Sequence, residues 1–331
     1  MQSPAPIPTQ TNMPLVSICT PTFNRRPFLP YLAKCIQQQT YPLNRVEWVV
    51  VDDGTDPVED ILSSIYFVDV TYVRLPKKVS LGEKRNITHS HCKGDILVYM
   101  DDDDYYPPER ISHAVESLLA NPDKLIAGAL TMSIYFKHNS TMYSFGPYAK
   151  NQITAATFAF KRELLDITRF DNDKAISEES NFLKGYTIPV IPLDTTKTIL
   201  VFSHIHNSFD KRVLLTQVPL EQNPFIKETT LKPSDYIKDP ELYSFYVERV
   251  DRELEEYTPG SIENKPDVLL GLAQNKIRQY ELTVSEMNKK IATMSLENDK
   301  LREMNTILTE RLRSMIGGSI KKHQADWNPR R

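Results

Sequence analysis

Two runs constrain the fold most: VEWVVVDD at residues 46–53 and DILVYMDDDD at 95–104, each an apolar stretch that ends in adjacent carboxylates. A continuous apolar run, unlike an alternating one, fits a strand buried on both faces of a parallel sheet. Adjacent carboxylates repel one another, so four of them directly after a buried strand point to a cation or ligand that relieves the repulsion. LVSICT (15–20) and VTYVRL (70–75) read as further strands, FLPYLAKCIQQQT (28–40) as a helix and LGEKRNITHSHC (81–92) as the start of another. Short apolar runs alternating with helical stretches from Pro14 to about Ile205 predict an α/β domain with a mostly parallel central sheet. Ligands of such sheets bind beyond the carboxyl ends of the strands. Asp52, Asp53 and Asp101, Asp102, Asp103 and Asp104 all fall at such ends. A plain solvated acidic loop fits less well, because Tyr105, Tyr106, Pro107 and Pro108 close the run and stop it fraying into water.

Composition excludes some partners. The chain has 331 residues, 40% of them apolar and 25% charged, which suits one large or two ordinary globular domains. A formal charge of -3 supplies no general basic field, and no basic patch stands out in the first 260 residues, so no nucleic-acid partner is expected. Cys19, Cys35 and Cys92 have neither the count nor the spacing of a disulfide framework or zinc knuckle, and are expected as reduced, buried thiols. The opening MQSPAPIPTQTNMP lacks the pattern of an export signal, and no apolar stretch is long enough to span a membrane. A soluble, cytoplasmic protein is expected, in which the sequons at Asn86 and Asn139 are chance matches.

The character of the chain changes twice. Residues 1–13, rich in Pro, Gln and Thr, read as a flexible arm, and 211–265, proline-spotted and charged, as a wrapping segment or linker. Residues 266–316 read as a coiled coil. Leu270, Ile277, Val284, Ile291, Asn298, Asn305 and Leu312 fall at heptad position a, and Ala273, Tyr280, Met287, Met294, Leu301, Leu308 and Met315 at d. β-Branched residues with two Asn at a favour a parallel pair, and Lys276 with Glu281 and Glu297 with Arg302 supply attractive g-to-e pairs between chains. A homodimer through 270–315 is therefore expected, the alternative being an amphipathic helix folded back on its own domain. Gly317 and Gly318 are expected to end the helix, leaving a basic tail at 317–331.

Six pieces carry a family resemblance when taken in order: CTPTFNRR (19–26), VVVDDGTDP (49–57), GEKRN (82–86), GDILVYMDDDDYYPPER (94–110), SEESNFL (177–183) and SHIHN (203–207). Together they resemble a family 2 glycosyltransferase of the GT-A fold over roughly residues 14–210, and DDDDYYPPER also resembles members encoded by large DNA viruses. A viral origin would put the protein in the host cytoplasm or the virion. The resemblance implies a nucleotide-binding half at 14–104, an acceptor half at 105–210, and transfer of a sugar from a nucleotide-sugar donor, expected to be a UDP-sugar, to a glycan, protein or lipid hydroxyl with inversion.

Such chemistry needs a cation for the departing diphosphate and a base for the acceptor. The resemblance places base and ribose contacts on Thr20, with Pro21, Thr22 and Arg25 nearby, and on Asp52 or Asp53. It places the diphosphate on Lys84 and Arg85. The family's Asp-x-Asp pair falls on Asp101 and Asp103, with Asp103 the ligand for Mn²⁺ or Mg²⁺ and Asp101 or Asp102 towards the ribose; the register Asp102 with Asp104 stays open. His204 and His206 are candidates for a further metal ligand, and alternation along an extended strand is expected to point both to one side. The family's Glu-Asp acid pair reads here as Glu178-Glu179, which puts Glu179 at the position of the base and leaves Glu178 as the other possibility. FGPYAKNQITAATFAFKREL (145–164) corresponds to the donor-sugar and acceptor region. Each residue also has a plain structural reading, such as Asp53 as a turn former before Gly54 or the two glutamates as charges favoured in a helix's first turn.

A phospho-receiver domain shares the strand-end aspartates but needs neither SEES nor the histidines, and a nucleotidyltransferase would not explain the acid pair. The second reading kept is a non-enzymatic coiled-coil scaffold that retains a degenerate nucleotide-sugar-binding domain.

Overall fold

The computed structural model describes residues 13–216 and 218–326. The expected arm, apart from Met13, and the last residues of the expected tail lie outside them. By contacts the chain divides into two compact units, Met1–Leu272 and Ala273–Arg331.

In the first unit four parallel strands follow the apolar runs: β1 (Val16–Thr22), β2 (Val46–Asp52), β3 (Asp69–Arg74) and β4 (Ile96–Tyr99). Every residue of β1, β2 and β4 is buried, as continuous apolar runs require. Helices cross between them, α1 (Leu29–Gln37) and α2 (Glu59–Leu62), then α3 (Leu81–His91) and, after the aspartates, α4 (Arg110–Ala120). These bounds agree with the sequence reading to within a few residues.

The chain then adds β5 (Ile126–Gly128), β6 (Met132–Phe136), β7 (Thr141–Phe145), β8 (Ala159–Lys161), a one-turn helix α5 (Glu179–Phe182), β9 (Val190–Pro192), β10 (Val201–Ser203) and β11 (Ile226–Glu228). The central seven-stranded sheet has the order β3-β2-β1-β4-β8-β5-β9, with β8 antiparallel to both neighbours. A second, four-stranded sheet runs β10-β6-β7-β11. The fold is thus α/β with a mostly parallel central sheet.

Register fixes the site. Thr22 lies opposite Asp52 and Cys19 opposite Tyr99, so the carboxyl ends of β1, β2 and β4 open on one edge. Mutual hydrogen bonds between the backbones of Tyr105 and Leu200, at 2.9 and 3.1 Å, draw the aspartate run beside the strand that precedes His204.

Residues 211–265 do more than connect. They supply β11, α6 (Pro233–Tyr236), α7 (Pro240–Tyr243) and α8 (Val250–Glu256), and bury Tyr236, Leu242, Phe245, Tyr246, Val250 and Leu254 in the main core. Tyr246 reaches the aspartate run itself, its hydroxyl donating to the Asp104 carbonyl at 2.9 Å. The three cysteines are buried and free, with Cys19 and Cys92 sulfurs 3.5 Å apart.

Helix α9 (Pro266–Asp326) runs past Gly317 and Gly318, which correct the expected helix end. A mid-helix Gly costs only about 1 kcal/mol relative to Ala, too little to stop a helix whose flanking residues favour it. In the second unit the a and d side chains are unburied, with Ile291 63% and Leu308 51% exposed. Among the described residues no helix is long and apolar enough to cross a membrane.

Candidate active site

A cleft of about 140 Å³ opens at the carboxyl ends of β1, β2 and β4. Its walls include Pro21, Thr22, Phe23, Arg25, Lys84 and Arg85, the carboxylates Asp101, Asp102 and Asp103, and, from distant sequence, Ser208, Lys265 and Asp267. Most of the expected donor residues therefore meet. The loop and helix that carry the basic ones are fixed locally: the Ser80 hydroxyl accepts the Glu83 amide at 3.0 Å and caps α3, and Lys84 and Arg85 lie on its buried face. Gly82 permits the next step, because a Cβ there would stand 2.0 Å from the Asp171 carbonyl. That approach brings the segment carrying Glu178 and Glu179 against α3.

The four aspartates separate into different environments. Asp101 receives both Arg85 terminal nitrogens at 3.2 and 3.3 Å. Asp102 is buried 3.4 Å from Arg25 Nε, and burial, with repulsion from Asp103, pushes it up to about 7 against the pull of Arg25. Asp103 Oδ2 lies 3.1 Å from Arg25 Nη2 and 3.2 Å from His204 Nε2; against its burial, these two hold it well below the usual carboxylate range. Asp104 is buried outside the cleft wall, where burial and Asp103 raise it well above the usual value against the pull of Lys211. The histidine beside Asp103 is neutral, since burial takes His204 down to about 3, so this contact is a hydrogen bond and not an ion pair. The neutral ring then carries its proton on Nε2, since Nδ1 accepts the His206 amide at 3.2 Å; once that proton is given up, the Asp103 oxygen and Nε2 make a donor set that Mn²⁺ accepts. Among the described residues no three His, Cys, Asp or Glu side chains converge to hold a metal ion by themselves. Two protein donors fit a cation that takes its remaining ligands from phosphate and water. A buried nitrogen beside them, Arg25 Nη1, has no hydrogen-bond partner among the described residues, while the Thr22 hydroxyl lies against Asp102.

Several expected placements do not hold. Thr20 is absent from the cleft: its hydroxyl donates to the Met100 carbonyl at 2.7 Å and accepts from Trp48 Nε1 at 2.9 Å. β1 continues two residues further than read, so Thr22 is the residue at the edge. Asp52 and Asp53 are engaged internally. Asp52 accepts from the Gly54 amide and the Tyr72 hydroxyl, both at 2.8 Å, while Asp53 accepts from the Val79 amide at 2.8 Å and pairs with Lys84. Lys84, 4% exposed, is thereby neutralised by a carboxylate rather than free for a phosphate. His204 and His206 do not point to one side, because β10 ends at Ser203 and the backbone turns, with the Asn207 amide donating to the His204 carbonyl at 3.2 Å. Of the two, His204 reaches the aspartates; the His206 ring lies 6.4 Å from that of Tyr257, and its Nδ1 has no partner among the described residues. Asp101, held by Arg85, likewise does not join Asp103 and His204.

The acid pair is unequal. Arg85 Nε lies 2.8 Å from Glu178 Oε1 while its other nitrogens hold Asp101, and its guanidinium stacks 4.4 Å over the Tyr99 ring. One arginine thus ties the SEES segment to the aspartate run. Glu179 has no such ion pair among the described residues, and burial, together with the charge of Glu178, raises it to about 7. It opens α5, as expected of the pair, although α5 is a single turn.

Phe23, Lys78, Lys265 and Asp267 were not singled out by sequence. Phe23 follows the strand end, where its ring receives the Lys78 and Lys84 ammonium groups at 4.9 and 5.7 Å. Lys265 ends the charged, proline-spotted stretch and Asp267 falls at the start of the expected coiled coil, and nothing local signals their return to β1.

Residues 17–170 match the family model Glycosyl transferase family 2. An uncharacterized glycosyltransferase of Haemophilus influenzae is 30% identical over 109 residues, 33% of this chain and 36% of that protein. A second from the same organism is 24% identical over 225 residues, 65% of this chain and 84% of that protein. The chain thus spans little more than a third of one of these relatives and most of the other. Among solved structures, the mannosyltransferase PcManGT from Pyrobaculum calidifontis in complex with GDP-Man and Mn²⁺ is similar with a TM-score of 0.47 and 22% identity, over 59% of this chain and 58% of that one. None of these supports the viral kinship expected from DDDDYYPPER.

Proposed function

From the premise that residues 17–170 form a glycosyltransferase family 2 domain, we propose that the protein transfers a sugar from a nucleoside-diphosphate sugar, expected to be a UDP-sugar, to an acceptor hydroxyl with inversion at the anomeric carbon. The observation that carries the reading is the division of labour in the acid pair: Arg85 pairs with Glu178 and binds Asp101, while Glu179, raised to about 7, has no ion-pair partner among the described residues. A general base works best with a pKa near the working pH.

Glu179 takes the proton of the acceptor hydroxyl as its oxygen bonds to the anomeric carbon, and the bond from that carbon to the diphosphate oxygen breaks with its electron pair. One displacement from the face opposite the leaving group inverts the centre. Asp103 and His204 are the residues that would hold a divalent cation, Mn²⁺ by the chemistry of the donor set, which when bound offsets the charge of the departing diphosphate. Arg25 Nη1, buried with no partner among the described residues, and Thr22 at the strand end would meet the donor. Asp52 and Asp53, expected to contact the base, instead shape the loops around it through Gly54, Tyr72, Val79 and Lys84. The test is metal-dependent stabilisation of the protein by nucleoside diphosphates, with release of diphosphate when the matching sugar donor is supplied.

The proposal extends to assembly as a parallel homodimer through 270–315. It is supported by the a/d stripe, unburied in the single chain, by Asn298 and Asn305 at a, and by the complementary pairs Lys276 with Glu281 and Glu297 with Arg302. Light scattering at micromolar concentration should give a dimer for the wild-type chain and a monomer for Ile277→Glu/Ile291→Glu. A monomeric wild type, or a double variant that stays dimeric, would contradict the pairing.

A further inference from the structure

The cations in the cleft wall can be matched to carboxylates one by one. Arg25 lies against Asp102 and Asp103, Lys84 against Asp53, Arg85 against Glu178 and Asp101, and Lys78 against Asp267 at 2.6 Å. Lys265 is left over. It is 4% exposed, its Nζ donates to the His206 carbonyl at 3.2 Å, and among the described residues no carboxylate comes within ion-pair distance of it. Burial pushes Lys265 down to about 7, with Arg25 and Lys78 repelling its charge and Asp103 and Asp102, beyond ion-pair distance, attracting it. A buried ammonium with one carbonyl partner is costly to maintain, so its place in a cleft wall points to an anion that is to arrive.

Lys265 is held in place by a strap built from the end of the first unit. The Tyr257 hydroxyl donates to Asp56 at 2.8 Å and the Pro259 carbonyl accepts from Asn24 Nδ2 at 2.8 Å. At Gly260 a Cβ would stand 2.6 Å from the Asn24 carbonyl and 2.8 Å from His206 Nδ1. Two residues past Lys265, Asp267 anchors the strap to Lys78. These contacts join it to the β1–α1 loop, to the β2–α2 loop and to the turn after β10. The lysine is therefore fixed beside Arg25 and Asp103 by a segment well outside residues 17–170.

We infer that Lys265 is a donor-binding residue, its ammonium meeting the phosphate oxygens of the nucleoside diphosphate. The inference rests on the donor reading above and deepens it: the cationic part expected of Lys84, which Asp53 neutralises, falls to a residue of the strap. A charge-assisted hydrogen bond to phosphate is the strong kind, so its loss should weaken diphosphate binding by about tenfold or more, with no effect on the nucleoside moiety.

The experiment compares Lys265→Met and Lys265→Arg with wild type, titrating uridine, UMP and UDP, and the guanosine series alongside, in the presence of Mn²⁺. For the base that wild type binds, Lys265→Met should keep the nucleoside affinity and lose tenfold or more of the diphosphate affinity, Lys265→Arg should recover most of it, and the ligand-free melting temperature of Lys265→Met should equal or exceed wild type, because an unpaired buried charge has gone. Diphosphate affinity within twofold of wild type would overturn the inference. So would an equal loss for nucleoside and diphosphate, or a ligand-free protein that melts lower while binding normally, since each makes Lys265 structural. A wild-type protein that binds no nucleoside diphosphate is a different outcome: it defeats the donor reading itself and this inference with it.

Discussion

Replacing Glu179 by Gln should lower sugar transfer by about 10²- to 10⁴-fold while the affinity for donor nucleotide stays near wild type. The substitution keeps the shape of the side chain and removes only its capacity to take a proton. Burial and Glu178 raise its pKa, Asp101 raises it further, Arg85 opposes, and the Tyr186 hydroxyl stands nearby. Because the carboxylate form is the active one and its pKa lies at about 7, the transfer rate should fall as pH drops through about 7, tenfold for each unit below it. Glu178→Gln removes the adjacent negative charge, so Glu179 should ionise at lower pH and the limb should move the same way. Arg85 keeps Asp101 in that variant. If Glu178→Gln abolishes transfer while Glu179→Gln retains it, the roles are reversed and the assignment fails.

Asp103→Asn should remove the metal dependence of donor binding, weakening Mn²⁺-dependent nucleoside diphosphate affinity about 100-fold or more, since even groups behind the metal ligands are worth 10- to 100-fold. Loss of Asp103 leaves Arg25 with Asp102 still 3.4 Å away, so the buried guanidinium keeps a counter-charge and the fold should persist. His204→Ala should reproduce the loss of metal dependence. Affinity that is unaltered in Asp103→Asn, or that never depended on metal in wild type, would refute the role given to the pair. The contrast with Glu179→Gln is the informative part, because one variant should lose binding and the other chemistry.

The parts of this site that sequence reveals are those fixed by short-range pattern. β1, β2 and β4 are continuous apolar runs, so their positions, and hence the edge where Asp52, Asp53 and the four aspartates collect, follow from burial alone. β1 runs two residues beyond the apolar stretch that ends at Thr20, because Pro21 and Thr22 continue the strand without being apolar, and this puts Thr22 rather than Thr20 at the cleft edge. A row of four identical side chains cannot say which way each points. Here the turn after β4 sends Asp101 to Arg85 and Asp102 and Asp103 to Arg25, and leaves Asp104 buried outside the cleft wall.

Partners far apart in the chain were the least legible. Glu178 meets Arg85 across 93 residues and Asn24 meets Pro259 across 235, and no periodicity encodes such pairs. That is why Lys84 read as a free phosphate contact and Lys265 read as part of a linker. The helical rod was legible because heptad spacing is itself the signal, whereas its end was not, since Gly317 and Gly318 are tolerated inside α9.

The central claim is that the cleft holds a nucleoside diphosphate with a divalent cation, and the most direct measurement is the melting temperature of the purified chain against UDP, GDP and their sugars, each with and without Mn²⁺. A ligand at about 100 times its dissociation constant stabilises a protein by roughly 2.7 kcal/mol, which reads as a shift of several degrees or fewer, well within detection. The account predicts a shift with one diphosphate series, UDP by expectation, that requires the metal. No shift with any nucleotide, or shifts of equal size with and without Mn²⁺, would contradict it, and the first of these would return the protein to the reading of a scaffold with a degenerate nucleotide-sugar-binding domain.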